Sequence, residues 1–302
     1  MNLKGKVAVV TGSGRGLGRA YARALAAAGA AVVVNDVDAE VAEATTREIA
    51  EGGGKAVSCV CPVGSSEAAD RLVQAGVDAF GRLDAMVTNA GILRDRTLLK
   101  MEDADFDAVI ETHLRGTFTC GRAAARRMRE QGEGGRIIVV SSLAGQLGNY
   151  GQTNYSAAKA GIACLARTWA LELKRFNITV NAVVPNALTR MVATIPGMAA
   201  LVEAAESGQP LPPPARQRLG IGTAEDVAAL VVFLASDAAA EVTGQAIGLG
   251  GDKLSLWGHP REVAVAYREG GWSADGIAEV WGTSVGARLE PYGIPMLGGG
   301  GS

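Results

Sequence analysis

The chain has 302 residues, 48% hydrophobic and 20% charged, which is enough to bury a full core and predicts one globular domain with an appendage. A formal net charge of −2 with scattered basic residues gives no footprint for nucleic acid and no polybasic membrane patch, so a small-molecule partner is expected. Cys59, Cys61, Cys120 and Cys164 form no CxxC pair and no zinc spacing; no metal is expected, and they read as buried apolar fillers in a reducing, cytoplasmic setting.

In chain order, β-branched runs at 6–11, 31–36, 56–60, 84–89, 136–141, 178–184 and 245–250 alternate with Ala-rich amphipathic stretches near 17–28, 38–51, 66–80, 103–130, 154–174 and 223–235. That rhythm predicts βαβ units and an α/β fold, a doubly wound, seven-stranded parallel sheet of Rossmann-like, three-layer form over residues 1–251. No apolar run reaches the roughly 20 residues of a membrane span. Within the domain, the Pro-rich insertion 186–222 is expected to be a substrate lid. The extension 252–297 holds three of the four tryptophans, Trp257, Trp272 and Trp281, and is expected to pack on the body or on a neighbouring subunit. The final GGGGS, 298–302, reads as a flexible linker or tag remnant.

After the first strand comes TGSGRGLG, residues 11–18. Gly12, Gly16 and Gly18 let backbone N–H groups and a helix N-terminus approach a pyrophosphate without Cβ atoms in the way, although the spacing is GxxxGxG and not GxGxxG. A dinucleotide site is therefore expected. The second strand ends at Asp36, where a carboxylate meets the adenosine ribose and repels a 2′-phosphate, favouring NAD over NADP. Asp36 also fits an Asx turn before the next helix, and Arg15 is a counter-signal that could pair with a 2′-phosphate.

Asn89-Ala90-Gly91 and Ser141-Ser142 follow the fourth and fifth strands, at the sheet edge where open α/β folds bind ligands. Tyr155 and Lys159 then stand four apart at a helix start and share one face. An ammonium some ~4 Å from a phenol contributes about 4 kcal/mol at an effective dielectric near 20, about three pKa units in favour of phenolate. The helix N-terminus adds positive potential in the same direction, and desolvation opposes it. Tyr155 can thus serve as an acid–base group. Tyr150 has no such partner and reads as a pocket wall.

These motifs in this order, TGxxxGxG at 11–18, NAG at 89–91, Ser142 and YxxxK at 155–159, resemble the short-chain dehydrogenase/reductase superfamily over about residues 3–250. The resemblance implies hydride transfer between a nicotinamide and a carbonyl or alcohol carbon. It gives Tyr155 the proton, Ser142 the substrate oxygen, and Lys159 the nicotinamide ribose. Implied cofactor contacts are Gly12, Arg15, Gly16, Leu17, Gly18, Asp36, Val63, Asn89, Ala90, Gly91, Tyr155, Lys159, Pro185 and Leu188; implied substrate contacts are Ser142, Tyr150, Asn186 and Arg190. A homotetramer built on the 103–130 helix and the Tyr155 helix is also implied.

The chain departs from the superfamily pattern at four places. His113 replaces the asparagine of the proton relay, and fits either a relay or a buried structural residue. Pro185-Asn186 replaces a PG turn, Arg190 a threonine, and Pro62 the acid of an adenine contact. HLxG, YGQxNYSAAKxG, PNAxxRM and a Trp-containing extension together resemble the (3R)-hydroxyacyl-CoA dehydrogenase unit of multifunctional enzyme type 2, whose relatives include 17β-hydroxysteroid dehydrogenases. The leading expectation is an NAD-dependent enzyme for a 3-hydroxyacyl-CoA or a steroid-like alcohol. An NADPH-dependent 3-oxoacyl or general ketone reductase is the alternative, and a non-catalytic NAD-binding sensor a remoter one.

Overall fold

Short runs of Val, Ile and Ala that are apolar on both faces can only be satisfied between two helical layers, and that is how the strands are used. The computed structural model describes residues 1–188 and 199–294. Its strands are β1 Val7–Val10, β2 Ala31–Asp36, β3 Lys55–Val60, β4 Ala85–Thr88, β5 Gly135–Val140, β6 Ile178–Pro185, β7 Ala246–Gly250 and β8 Lys253–Trp257. Its α-helices are α1 Gly16–Ala27, α2 Ala39–Glu51, α3 Ser66–Phe80, α4 Asp103–Val109, α5 Gly116–Gln131, α6 Leu143–Leu147, α7 Thr153–Leu173, α8 Ala199–Glu206, α9 Pro213–Gln217, α10 Ala224–Ala235 and α11 Ala274–Val280.

The sheet order is β3-β2-β1-β4-β5-β6-β7-β8. All pairs are parallel except β7 with β8. Helices α1, α2 and α10 cover one face through Tyr21, Leu25, Ala42 and Val231. Helices α3, α5 and α7 cover the other through Leu72, Met128 and Ile162. The chain reverses direction across the sheet between β1 and β4, which opens a crevice at their C-terminal ends.

The expected doubly wound sheet is present, with one strand more than the seven expected. The eighth, β8, turns back after Gly251, at φ +52°, and pairs antiparallel with β7. The alternation in Lys253-Leu254-Ser255-Leu256-Trp257 is too short to stand out from a tail. Trp257 packs against the core from this strand. Trp272 and Trp281 are 40% and 46% exposed in the single chain.

The expected 103–130 helix is interrupted. Ile110–Arg115 forms a π-helical segment between α4 and α5, and it carries His113. Of the four cysteines expected to be buried, Cys164 is exposed. In the insertion, Leu188, Val202, Leu211, Ala215 and Ile221 form a small cluster of their own. Its base is tied down by Arg216, which bonds both Asp226 and Asp252 at 2.9 Å. Among the described residues, no helix is long and apolar enough to cross a membrane.

Candidate active site

The turn after β1 is built to keep backbone bare. Gly12 has φ +61°, and a Cβ there would lie 2.7 Å from the Ala90 Cα. A Cβ on Gly18 would overlap the Gly12 carbonyl. Gly16, at φ +53°, has no atom within 4 Å of its Cβ position, so the space above it is open. Helix α1 begins here with Arg15 at its N-cap, no side-chain cap and no acidic residue in its first turn. Its first N–H groups therefore face that space with no protein anion competing for them.

Two amides hold the turn. Asn89 Nδ2 donates to the carbonyls of Thr11 and Gly12 at 3.0 Å each, and Thr11 Oγ1 accepts from the N–H groups of Asn89 and Ala90 at 2.9 and 3.0 Å. Buried Asn35 accepts from Gly12 N at 3.3 Å and donates to the Cys59 and Cys61 carbonyls at 2.9 Å each. Asp36 closes the far end: its carboxylate accepts from Gly14 N and Asp38 N, each at 3.2 Å. Arg15 is drawn aside to Asp38, Nη2 to Oδ2 at 2.6 Å.

The expected reacting set comes together at the crevice. Ser142 follows β5 and caps α6 by accepting from Ala144 N at 3.2 Å. Tyr155 lies in the first turn of α7, and Lys159 one turn on is 3% exposed. Lys159 Nζ donates to the Val140 carbonyl at 2.6 Å and lies 5.5 Å from the Tyr155 ring centroid. Burial pushes the lysine pKa down to about 7. Burial raises the Tyr155 phenol; a hydrogen bond with Ser142 pulls it back, and the Asp95 carboxylate pushes it up again. Lys159 is bonded to backbone, and burial disfavours its own charge.

The family profile described as Enoyl-(Acyl carrier protein) reductase matches residues 12–251. The chain belongs to the short-chain dehydrogenase/reductase family. It is 42% identical to hydroxyacyl-CoA dehydrogenase ChsB1 of Mycobacterium tuberculosis, over 96% of this chain and 89% of that one. It is 39% identical to the 3-oxoacyl-[acyl-carrier-protein] reductase FabG of Thermotoga maritima, over 83% of this chain and 98% of that one. The mouse peroxisomal multifunctional enzyme type 2 is 42% identical over 65% of this chain and 27% of its own length. A short chain dehydrogenase from Mycobacterium avium superposes with a TM-score of 0.84 at 36% identity, covering 99% of this chain and all of that one. The protein is accordingly an oxidoreductase of CH–OH and keto groups, and the family's fold implies a nicotinamide dinucleotide. The open space over Gly16 and the uncapped start of α1 fit its pyrophosphate.

In this short-chain dehydrogenase/reductase, His113 is 2% exposed. Its Nε2 lies 3.0 Å from Ile92 N and 2.8 Å from Ile92 O, and its ring meets Tyr155 edge-on at 5.2 Å. Gly91 has no room for a Cβ, which would fall onto the His113 ring. Burial, then the charge of Lys159, push His113 down to about 3, so it stays neutral at physiological pH. Its Nδ1 has no partner among the described residues. These contacts pack the ring between the NAG turn and the tyrosine.

The remaining expected contacts are dispersed. Leu17 packs partly buried on the core, and Val63 lies against Gly116. Pro185 ends β6, while Leu188 belongs to the insertion's cluster and donates its N–H to Gly222 O at 2.8 Å. Asn186 Nδ2 donates to Leu219 O at 2.7 Å, which ties the side chain to the base of the insertion. Tyr150 is 88% exposed in the single chain. Arg190 lies outside the described residues.

Thr11, Asn35, Asp95, Gln152 and Asn154 were not anticipated from the sequence. Fully buried Asn154 donates to the carbonyls of Arg94 and Asp105 at 3.0 Å each and accepts from Tyr155 N at 2.8 Å. The available signal was a cluster of amides, Asn149, Gln152 and Asn154, crowding a helix start that needs only one cap.

Proposed function

We propose that the protein is an NAD-dependent dehydrogenase that interconverts a 3-hydroxyacyl thioester and its 3-oxo form, with a steroid-like alcohol or ketone as the related substrate class. The observation that carries the reading is Tyr155 in the first turn of α7, with buried Lys159 Nζ 5.5 Å from its ring centroid and His113, packed on Gly91, edge-on to it at 5.2 Å. Similarity to a hydroxyacyl-CoA dehydrogenase along 96% of this chain, the C-terminal extension included, supports the thioester.

Bound nicotinamide supplies the hydride acceptor in oxidation and the donor in reduction. The chain's own groups do the rest. Ser142 Oγ holds the substrate oxygen, and the Tyr155 phenol oxygen carries its proton: the phenolate takes it from an alcohol, and the phenol gives it to a ketone. Lys159, next to Tyr155 on α7, holds a ribose hydroxyl. Asp36 disfavours a 2′-phosphate, and the pairing of Arg15 with Asp38 removes the cation that would welcome one. Helices α4, α5 and α7 form the contacts of a homotetramer, which a solution mass measurement checks.

Initial rates with NAD and NADP against (3R)- and (3S)-hydroxyacyl-CoA and hydroxysteroids test the reading. NAD-linked turnover of one 3-hydroxyacyl-CoA isomer is expected, with a fall of about 10²–10⁴ in Tyr155→Phe. A strong preference for NADPH would instead favour the 3-oxoacyl reductase reading, for which the likeness to FabG speaks.

A further inference from the structure

The segment after the NAG turn is fastened to the catalytic helix by side chains from both sides. Asp95 Oδ2 accepts from Gln152 Nε2 at 2.9 Å, and Gln152 Oε1 accepts from Asn149 Nδ2 at 2.9 Å. Arg96 N donates to Gly151 O at 2.9 Å, and the Arg94 carbonyl is taken by Asn154. Gln152 is 9% exposed and is the N-cap residue of α7, three positions before Tyr155 and so on the same face of the first turn. The second carboxylate oxygen, Oδ1, is buried and has no hydrogen-bond partner among the described residues. The other oxygen is met by an amide, where a cation would pair more strongly.

We propose that Asp95 is a positioning residue for Tyr155: it holds Gln152, three positions before the tyrosine, and so fixes a carboxylate at the head of the catalytic helix, where it governs the pH range in which the tyrosine acts as acid or as base. The inference rests on the reading of Tyr155 as the proton carrier. Among the described titratable groups, Lys159 on its own helix lies 5.5 Å from the Tyr155 ring and His113 on the π-helical segment meets it at 5.2 Å, while Asp95 on the loop after β4 and Tyr21 on α1 act on it through charge. His113 is neutral, and Lys159 is bonded to Val140, which leaves Asp95 as the anion of the set. Its charge opposes phenolate, in the same direction as burial. The arrangement keeps Tyr155 a proton donor at neutral pH, suited to reducing a carbonyl, and moves the oxidative reaction to alkaline pH. Arg94 and Arg96 flank the acid, but their guanidinium groups bond the backbone carbonyls of Leu93 and Asp95 at the exposed surface.

The test is the pH dependence of kcat and kcat/KM for alcohol oxidation in wild type, Asp95→Asn and Asp95→Glu. Asn keeps an acceptor for Gln152 and loses the charge; Glu keeps the charge. The rising limb of Asp95→Asn is expected to move down by roughly one pH unit, the scale set by a nearby charge at an effective dielectric near 20, and Asp95→Glu is expected to restore it. Should Asp95→Asn turn over too slowly, ultraviolet difference titration of the phenolate against an Asp95→Asn/Tyr155→Phe blank reads the same shift. An unmoved profile and titration in Asp95→Asn overturn the inference. Tyr155→Phe separates the two levels: if it retains turnover, the proton-carrier reading itself falls; if it is inactive while Asp95→Asn behaves as wild type, only the role of Asp95 does.

Discussion

Lys159 Nζ is tied to the Val140 carbonyl at 2.6 Å, so the ammonium is anchored to the end of β5 and not to the Tyr155 phenol. This anchoring has a stability cost. Burial holds the lysine pKa at about 7, against an ordinary 10.5, so between those values the unfolded chain binds more protons than the folded one. The residue's contribution to stability therefore rises with pH across that window, and its penalty is fully present below about 7. Lys159→Met is expected to be more stable than wild type at pH 6 by roughly 1–3 kcal/mol, with the gain fading toward pH 10 while turnover collapses. Thermal denaturation across pH, beside an activity assay, checks both halves.

The glycine turn separates folding from binding. Gly16→Ala meets open space and costs only the left-handed backbone strain, about 1 kcal/mol, yet its methyl group enters the region proposed for the pyrophosphate. Gly18→Ala collides with the Gly12 carbonyl and approaches Asn89 Nδ2 to 2.6 Å, so it costs about 1–3 kcal/mol in the fold as well. Calorimetry of dinucleotide binding should show weakening in both variants; chemical denaturation should show a marked loss only in Gly18→Ala.

Cofactor preference should follow Asp36 and Asp38 together. Asp36→Ala removes the charge proposed to repel a 2′-phosphate, and Asp38→Ala releases Arg15 from its 2.6 Å pairing. The double variant is expected to shift the ratio of kcat/KM for NAD over NADP by about 10–100-fold, the scale of one lost repulsion and one gained pairing. The single variants should fall between it and wild type.

His113 is neutral, so it should leave no titration of its own near neutral pH. His113→Asn vacates the space beside Gly91 and loosens Ile92, and is expected to destabilise the protein by about 2–4 kcal/mol and to lower kcat. The shape of the pH profile should stay as in wild type. A pKa that disappears near 6.5 in the variant would instead favour the proton-relay reading.

Much of this was legible because it is local. Val7–Val10 and Gly135–Val140 announce buried strands by β-branching, and Tyr155 and Lys159 announce themselves by one helical turn. What stayed hidden depends on distant pairings or broken periods. Asp95 and Gln152 lie 57 residues apart, and either alone is an ordinary polar residue. Asn35 sits beside Asp36 and looks like part of the same turn, yet it turns inward to join Gly12 to β3. Strand β8 was masked by its brevity. The three-amide cluster at the start of α7 was visible, but its partners were not.

The π-helical segment Ile110–Arg115 works as a phase shift. One additional residue in a helix turns everything after it by about 100° about the axis. Before the shift, α4 packs against α7; beyond it, α5 packs mainly against α3, β4 and β5 and only lightly against α7. A continuous α-helix over the same residues would hold one register throughout and could not present its apolar stripe to both sets of neighbours. Excising a single residue from the segment would therefore let it close into an ordinary α-helical turn with α5 still facing its neighbours, and would remove the wide turn that carries His113.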